Sequence, residues 1–200
     1  MGITTRDLEI IRYLEKNFLI NSDIASRLVY KTNNKDSSLN IAQRRLRELY
    51  KLKQVKRIRE YVSQSYTYYI GKTPTKTEHR LMMTDLVSRL KELGAEIILE
   101  ETEIEFDKLE QPYGVRPDIL LTFNLNGRTY QALVEIDLTK TFTHADKYKK
   151  ILEAKRRGEL PMLRDYPLTI ISVCDKKPDL SCIWIKTDSN ISNFNYAFIK

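Results

Sequence analysis

The sequence predicts an α+β protein of two modules, helices closed by a β-hairpin over residues 1–72 and a mixed α/β sheet domain over residues 73–200. Three observations carry that expectation. Apolar residues recur at helical spacing in the first third of the chain and as strand-like runs after it. A breaker, Gly71-Lys72-Thr73-Pro74, separates the two patterns. The charge divides at the same place: residues 1–72 hold 15 Lys and Arg against 7 Asp and Glu, while residues 73–200 hold 19 against 20. The net charge of +7 therefore originates in the first module, whose expected partner is a polyanion.

Thr4 or Thr5 is an expected N-cap for a first helix, with Leu8, Ile11, Leu14 and Phe18 recurring every three or four residues. Asn21 or Ser22 caps a second helix carrying Ile24, Ala25 and Leu28, which the polar residues 31–36 interrupt. Ser37 or Ser38 caps a third. On it Leu39, Ala42, Leu46 and Leu49 keep core spacing, whereas Asn40, Gln43, Arg44 and Arg47 share another face. Those side-chain types bond base edges and phosphates in a major groove. Residues 54–70 read as a hairpin, with Val55 and Ile58 in a basic strand, a turn over 62–65 and a tyrosine-rich return. Three helices followed by a two-stranded ribbon is the order of a winged helix-turn-helix. From Arg44 to Arg59 eight cations (Arg44, Arg45, Arg47, Lys51, Lys53, Lys56, Arg57, Arg59) accompany one acid, Glu48. That density suits phosphate contact. A solvated cationic face and a winged helix used for protein contact are the alternatives.

In the second module Thr75 or Thr77 opens a helix reaching Leu93, with Leu81, Leu86, Val87 and Leu90 on a core face and Gly94 as its stop. Strands are expected over 96–99, 118–123 and 130–137, the last two joined by a hairpin through Asn126-Gly127. A helix over 143–157, strands over 168–173 and 182–185, a polar loop over 188–193 and a short final strand over 196–199 complete the order. Helices covering a mixed sheet follow from it. Tyr148, Trp184 and Phe194 are expected to pack in the core.

At 200 residues with 42% apolar and 10% aromatic content, the chain can bury a substantial core. No apolar run is long enough for a membrane span, and residues 1–7 lack a signal-peptide pattern, so a cytoplasmic protein without a membrane partner is expected. Cys174 and Cys182 lack zinc-site spacing and read as reduced core residues.

Three carboxylates stand out in the second module. Glu135 and Asp137 are two apart on one strand and share a face, and Asp118 opens the strand paired with theirs. Converging acids raise one another's pKa unless a cation offsets the repulsion, and a hard divalent ion would do so. Arg116-Pro117-Asp118 followed after a hairpin by Glu135-Ile136-Asp137 resembles the PD-(D/E)XK nuclease-like superfamily, whose core is a helix, a three-stranded meander, a helix and a further strand. With a winged-helix N-terminus, Glu78-His79-Arg80-Leu81 and Glu135-Ile136-Asp137-Leu138-Thr139, the chain more narrowly resembles the replication-relaxation family of plasmids and mobile elements. The resemblance implies a role in plasmid replication or its control. It also implies Mg²⁺ or Mn²⁺ at Asp118 and Glu135, with Glu78 and Asp137 as further ligands. The lysine that follows the Glu by two residues in active nucleases is replaced here by Asp137, and an acid cannot supply positive charge to the transition state. Lys140, Lys147 or Lys150 would have to enter in its place. The alternative reading of the acids is an ion-paired sheet end involving Arg116 or Lys147, and His79 reads as a structural residue.

Two functions follow as expectations. One is a double-stranded DNA-binding protein of replication or replication control, carrying a degenerate nuclease-like domain. The other is a Mg²⁺-dependent endonuclease or nickase using Asp118, Glu135, Asp137 and Lys140. A protein-interaction module is a third class. Replication proteins and a second copy of the chain are the further partners expected.

Overall fold

A computed structural model describes residues 2–102, 113, 115–138, 142, 144–163, 165–187 and 193–198. The chain divides into two compact units, Met1–Gly94 and Ala95–Lys200. Among the described residues no helix is long and apolar enough to cross a membrane.

The first unit contains α1 (Thr5–Glu15), α2 (Ser22–Leu28), α3 (Lys35–Lys51), β1 (Lys56–Ile58), β2 (Thr67–Tyr69) and α4 (Thr77–Glu92). Thr4 caps α1 through a reciprocal box: its hydroxyl accepts the Asp7 N–H while the Asp7 carboxylate accepts the Thr4 N–H. Asn21 caps α2 by accepting the Ile24 N–H at 2.9 Å. The cap of α3 is Asn34, not Ser37 or Ser38: its side chain accepts the Ser37 N–H, and Ser38 is buried one turn further in. The inward face of α1 is also rotated from the expected one. Asp7, Ile10, Tyr13 and Leu14 are buried and Leu8 is exposed, because a buried ion pair claims Asp7.

β1 and β2 pair antiparallel, with Arg57 opposite Tyr68. Ile20, between α1 and α2, exchanges two backbone hydrogen bonds with Tyr68, adding a bridge on the other side of β2. The sequence boundary after Lys72 precedes α4, yet α4 packs on α2 and belongs to the first unit. The ties are specific: Arg27 reaches Asp85 and Ser88, Lys91 meets Glu9, and Arg80 donates to the Asn17 carbonyl. Neither Thr75 nor Thr77 caps α4; Lys76, with φ of 51°, precedes it without a side-chain cap.

The second unit is a five-stranded mixed sheet in the order β3 (Glu96–Thr102), β4 (Ile119–Leu125), β5 (Arg128–Ile136), β6 (Leu168–Cys174), β7 (Ile183–Lys186). The first three form an antiparallel meander, and β6 and β7 add in parallel. Asn126 and Gly127 turn β4 into β5 with φ of 52° and 75°, the conformation a two-residue hairpin requires and these residues tolerate. α5 (Ala145–Arg156) carries the crossover from β5 to β6. Its Tyr148, Ile151 and Ala154 close a core with Leu120, Leu133, Ile170 and Leu163. α6 (Phe194–Phe198) stands where a last strand was expected; the rings of Phe194 and Phe198 meet at a tilt, 5.2 Å apart, and Phe198 meets Phe123 of β4 edge-on. Aromatic residues at i and i+4 share a helix face, and that pairing outweighs the strand preference of the segment. Cys174 is buried and Cys182 half-buried, both as free thiols, and burial pushes the Cys182 thiol up to about 11.

Candidate functional site

Helix α3 separates its residues as an amphipathic helix must. Ala42, Leu46 and Leu49 are fully buried, while Asn40, Gln43, Arg44, Arg47 and Lys51 form an exposed stripe at spacings of three and four. Arg45 does not belong to that surface. It is 5% exposed, against 0% for Asp7. Its Nε donates to Asp7 Oδ1 at 3.0 Å, a second guanidinium nitrogen is paired with Oδ2, and a further bond reaches the Gly2 carbonyl. Tyr30, also buried, donates its hydroxyl to Asp7 Oδ1 at 2.6 Å. Arg45 follows Ala42 by three residues and precedes Leu49 by four, so it lies on the core stripe and its charge required a buried acid. Burial alone would push the Asp7 carboxyl up; bonds from Arg45, Thr4 and Tyr30 outweigh it and bring the pKa from 3.8 to about 2. Burial and the neighbouring carboxylate push the Tyr30 phenol far up.

The ribbon continues the cationic surface. Val55 is buried and anchors its start, and Lys53, Lys56 and Arg59 are exposed. Lys56 Nζ bonds the Gly71 carbonyl at 2.7 Å. Arg57 lies between two tyrosine rings, 4.2 Å from the Tyr50 centroid and 3.9 Å from that of Tyr66, and Arg59 lies 4.8 Å from Tyr66. Stacking holds a guanidinium in place while leaving its N–H edge available to an acceptor. Tyr50 and Tyr66 are partners of the cationic surface that the sequence pattern does not single out, although aromatic residues interleaved with cations are the available signal.

In the second unit Asp118 and Glu135 come together. The ladder pairs Ile119 with Val134, which sets Asp118 opposite Glu135. Asp118 Oδ2 accepts the Ile136 N–H at 2.7 Å, and Glu135 Oε2 accepts the Tyr148 hydroxyl at 2.7 Å. Burial first, then the charge of Glu135 and its hydrogen bond, with a lesser contribution from the charge of Asp118, push the Tyr148 phenol well up. Asp137 extends the β5–β6 ladder, its N–H donating to the Val173 carbonyl at 2.8 Å. Tyr148 is thus a hydrogen-bond partner of Glu135 as well as a packing residue.

The remaining candidates divide. Glu78 belongs to the first unit and lines a groove of about 440 Å³ with Asn21, Ile58, Arg59 and Gln64. His79 is half-buried on α4. Lys147 is half-buried and Lys150 exposed on α5, while Lys140 lies outside the described residues. Among the described residues no group of three or more His, Cys, Asp or Glu is arranged to hold a metal ion. The hydrogen bonds to Ile136 and Tyr148 supply a protein-internal reason for the acids to converge, where the sequence suggested a cation. Tyr148→Phe is therefore expected to destabilise the second unit by roughly 1–2 kcal/mol, by leaving the partly buried Glu135 short of a donor. Thermal unfolding checks this, and DNA retardation by the folded variant should be unchanged.

Comparison of the chain with protein-family models, with curated proteins and with solved structures finds no match in any of the three.

Proposed function

We propose that this chain is a double-stranded DNA-binding protein acting in replication or replication control of a plasmid or mobile element. Its first unit binds as a winged helix-turn-helix and its second is a nuclease-like scaffold that does not cleave. The observation that carries the reading is the coincidence of charge with form. The exposed stripe Asn40, Gln43, Arg44, Arg47 and Lys51 runs along α3, the helix that leads into a ribbon whose Arg57 and Arg59 are held on tyrosine rings. Helix, bridge, helix, helix and paired strands is the order that supports a winged helix. The meander, crossover helix and parallel strand around Asp118 and Glu135 support the nuclease-like assignment. The placement of the replication role rests on the sequence resemblance.

Asp137 stands where cleavage chemistry needs a lysine, and Glu135 is engaged by Tyr148. Supercoiled plasmid incubated with the protein in Mg²⁺, Mn²⁺ or EDTA is therefore expected to be retarded and intact in all three. Nicking that needs the cation and disappears in Asp118→Ala would install the endonuclease reading instead.

Tyr66→Ala keeps every charge and removes the ring on which Arg57 and Arg59 rest. It is expected to weaken DNA binding about three- to fivefold, the scale of one exposed cation–π contact, with an unchanged salt dependence. Titrations of fluorescent duplex at several salt concentrations measure both quantities.

A further inference from the structure

The tip of the ribbon joining β1 to β2 presents two large apolar side chains to solvent, Tyr61 at 66% exposure and Val62 at 82%. Turn-forming residues do not explain them, since Gly, Asn, Asp and Ser are what a tight reversal favours. Nor is the tip a loose loop. The Gln64 N–H donates to the Tyr61 carbonyl at 3.0 Å, and Arg59 donates to the Val62 carbonyl at 3.2 Å. Below it, Arg57 stacks on Tyr50 of α3, and the Ile20–Tyr68 bridge ties β2 to the segment between α1 and α2. An apolar pair is thus held at the end of a hydrogen-bonded arm flanked by Lys56, Arg57 and Arg59, with Glu60 the one acid beside it.

We propose that this tip is a wedge: Tyr61 and Val62 enter the minor groove of the bound duplex and partly unstack a base step. The inference deepens the DNA-binding reading and rests on it. Apolar side chains inserted at base steps unwind and kink a duplex, and neighbouring arginines are drawn to the negative potential of that groove. Charge selects DNA over a second copy of the chain as occupant. Two such tips would bring their cations together, whereas phosphates on either side of the groove neutralise them.

The test uses relaxed closed-circular plasmid, the full chain, and a metal-independent type I topoisomerase in EDTA, followed by deproteinisation and resolution of topoisomers. The wild-type chain is expected to leave the plasmid underwound in proportion to the protein bound. At equal occupancy the Tyr61→Ser/Val62→Ser double variant loses most of that shift, and Tyr61→Leu, which preserves an apolar tip, retains it. Retardation of the plasmid with no change in linking number, or with equal change in the double-serine variant, overturns the wedge and leaves DNA binding intact. No retardation by the wild type overturns DNA binding and the wedge together. Concentration-dependent self-association in sedimentation that the serine variant abolishes would make the tip a contact between copies, and would also overturn the wedge.

Discussion

Asp7→Ala lowers the stability of the first unit by about 3–5 kcal/mol, because it leaves the guanidinium of Arg45 buried without its counter-charge. Arg45 and Asp7 are 5% and 0% exposed, so water cannot take the place of the lost carboxylate. The same substitution removes the box that starts α1 and the acceptor of the Tyr30 hydroxyl. A loss of this size is a large part of what holds a domain together. Urea unfolding followed by far-UV circular dichroism, to which α1–α4 contribute most, measures it. Asp7→Leu combined with Arg45→Met and Tyr30→Phe removes the carboxylate together with its guanidinium and phenol partners, leaving the Thr4 groups at the helix start, and is expected to recover most of the loss, since the penalty comes from an orphaned charge. A triple variant as unstable as the single one would mean that the orphaned guanidinium is not the source of the penalty. The pair also sets a pH dependence. Asp7 has its folded pKa depressed, from 3.8 to about 2, so its contribution is complete above the unfolded value and is lost as pH falls through about 4 towards 2.

Arg44→Ala with Arg47→Ala is expected to reduce affinity for double-stranded DNA by about ten- to hundredfold while leaving stability nearly unchanged, the two side chains being exposed on α3. The dependence of log affinity on log salt distinguishes what they touch. If both meet phosphates, its slope becomes shallower by roughly 1.8, about 0.9 for each counterion no longer released. If they read base edges, the slope holds and discrimination between sequences relaxes. Unaltered affinity in the double variant would remove DNA from this face and leave a protein-interaction module.

How much of the fold and of the site is legible in the sequence depends on whether a feature is local. Thr4 and Asn21 cap helices within three residues of themselves, and Asn126-Gly127 shapes a hairpin by its own backbone, so each reads directly. All five strands of the mixed sheet are visible as apolar runs within a few residues of their ends. Arg45 reads from sequence as part of the DNA face because it resembles its neighbours in composition, while its position on the core stripe depends on Asp7, thirty-eight residues away. The sequence boundary sets α4 apart from α2 for a similar reason, as the Pro74 breaker is local and the ties to Arg27 and Asn17 are not. The acids at the sheet end are recognisable, but their partner Tyr148 lies on the crossover helix, beyond the reach of spacing arguments.

Pairing distance also sets the order in which the sheet can form. β4 and β5 close through two turn residues, whereas the first bond between β5 and β6 requires residues 137–167 to be gathered first. Short loops close at lower entropic cost and sooner, which favours formation of the hairpin before the parallel strands. During synthesis β5 is complete well before β6 leaves the ribosome, and its unpaired edge carries Ala132, Leu133 and Val134, which are wholly buried once folding ends. Until α5 docks and β6 arrives, that apolar edge is a template for pairing with another chain.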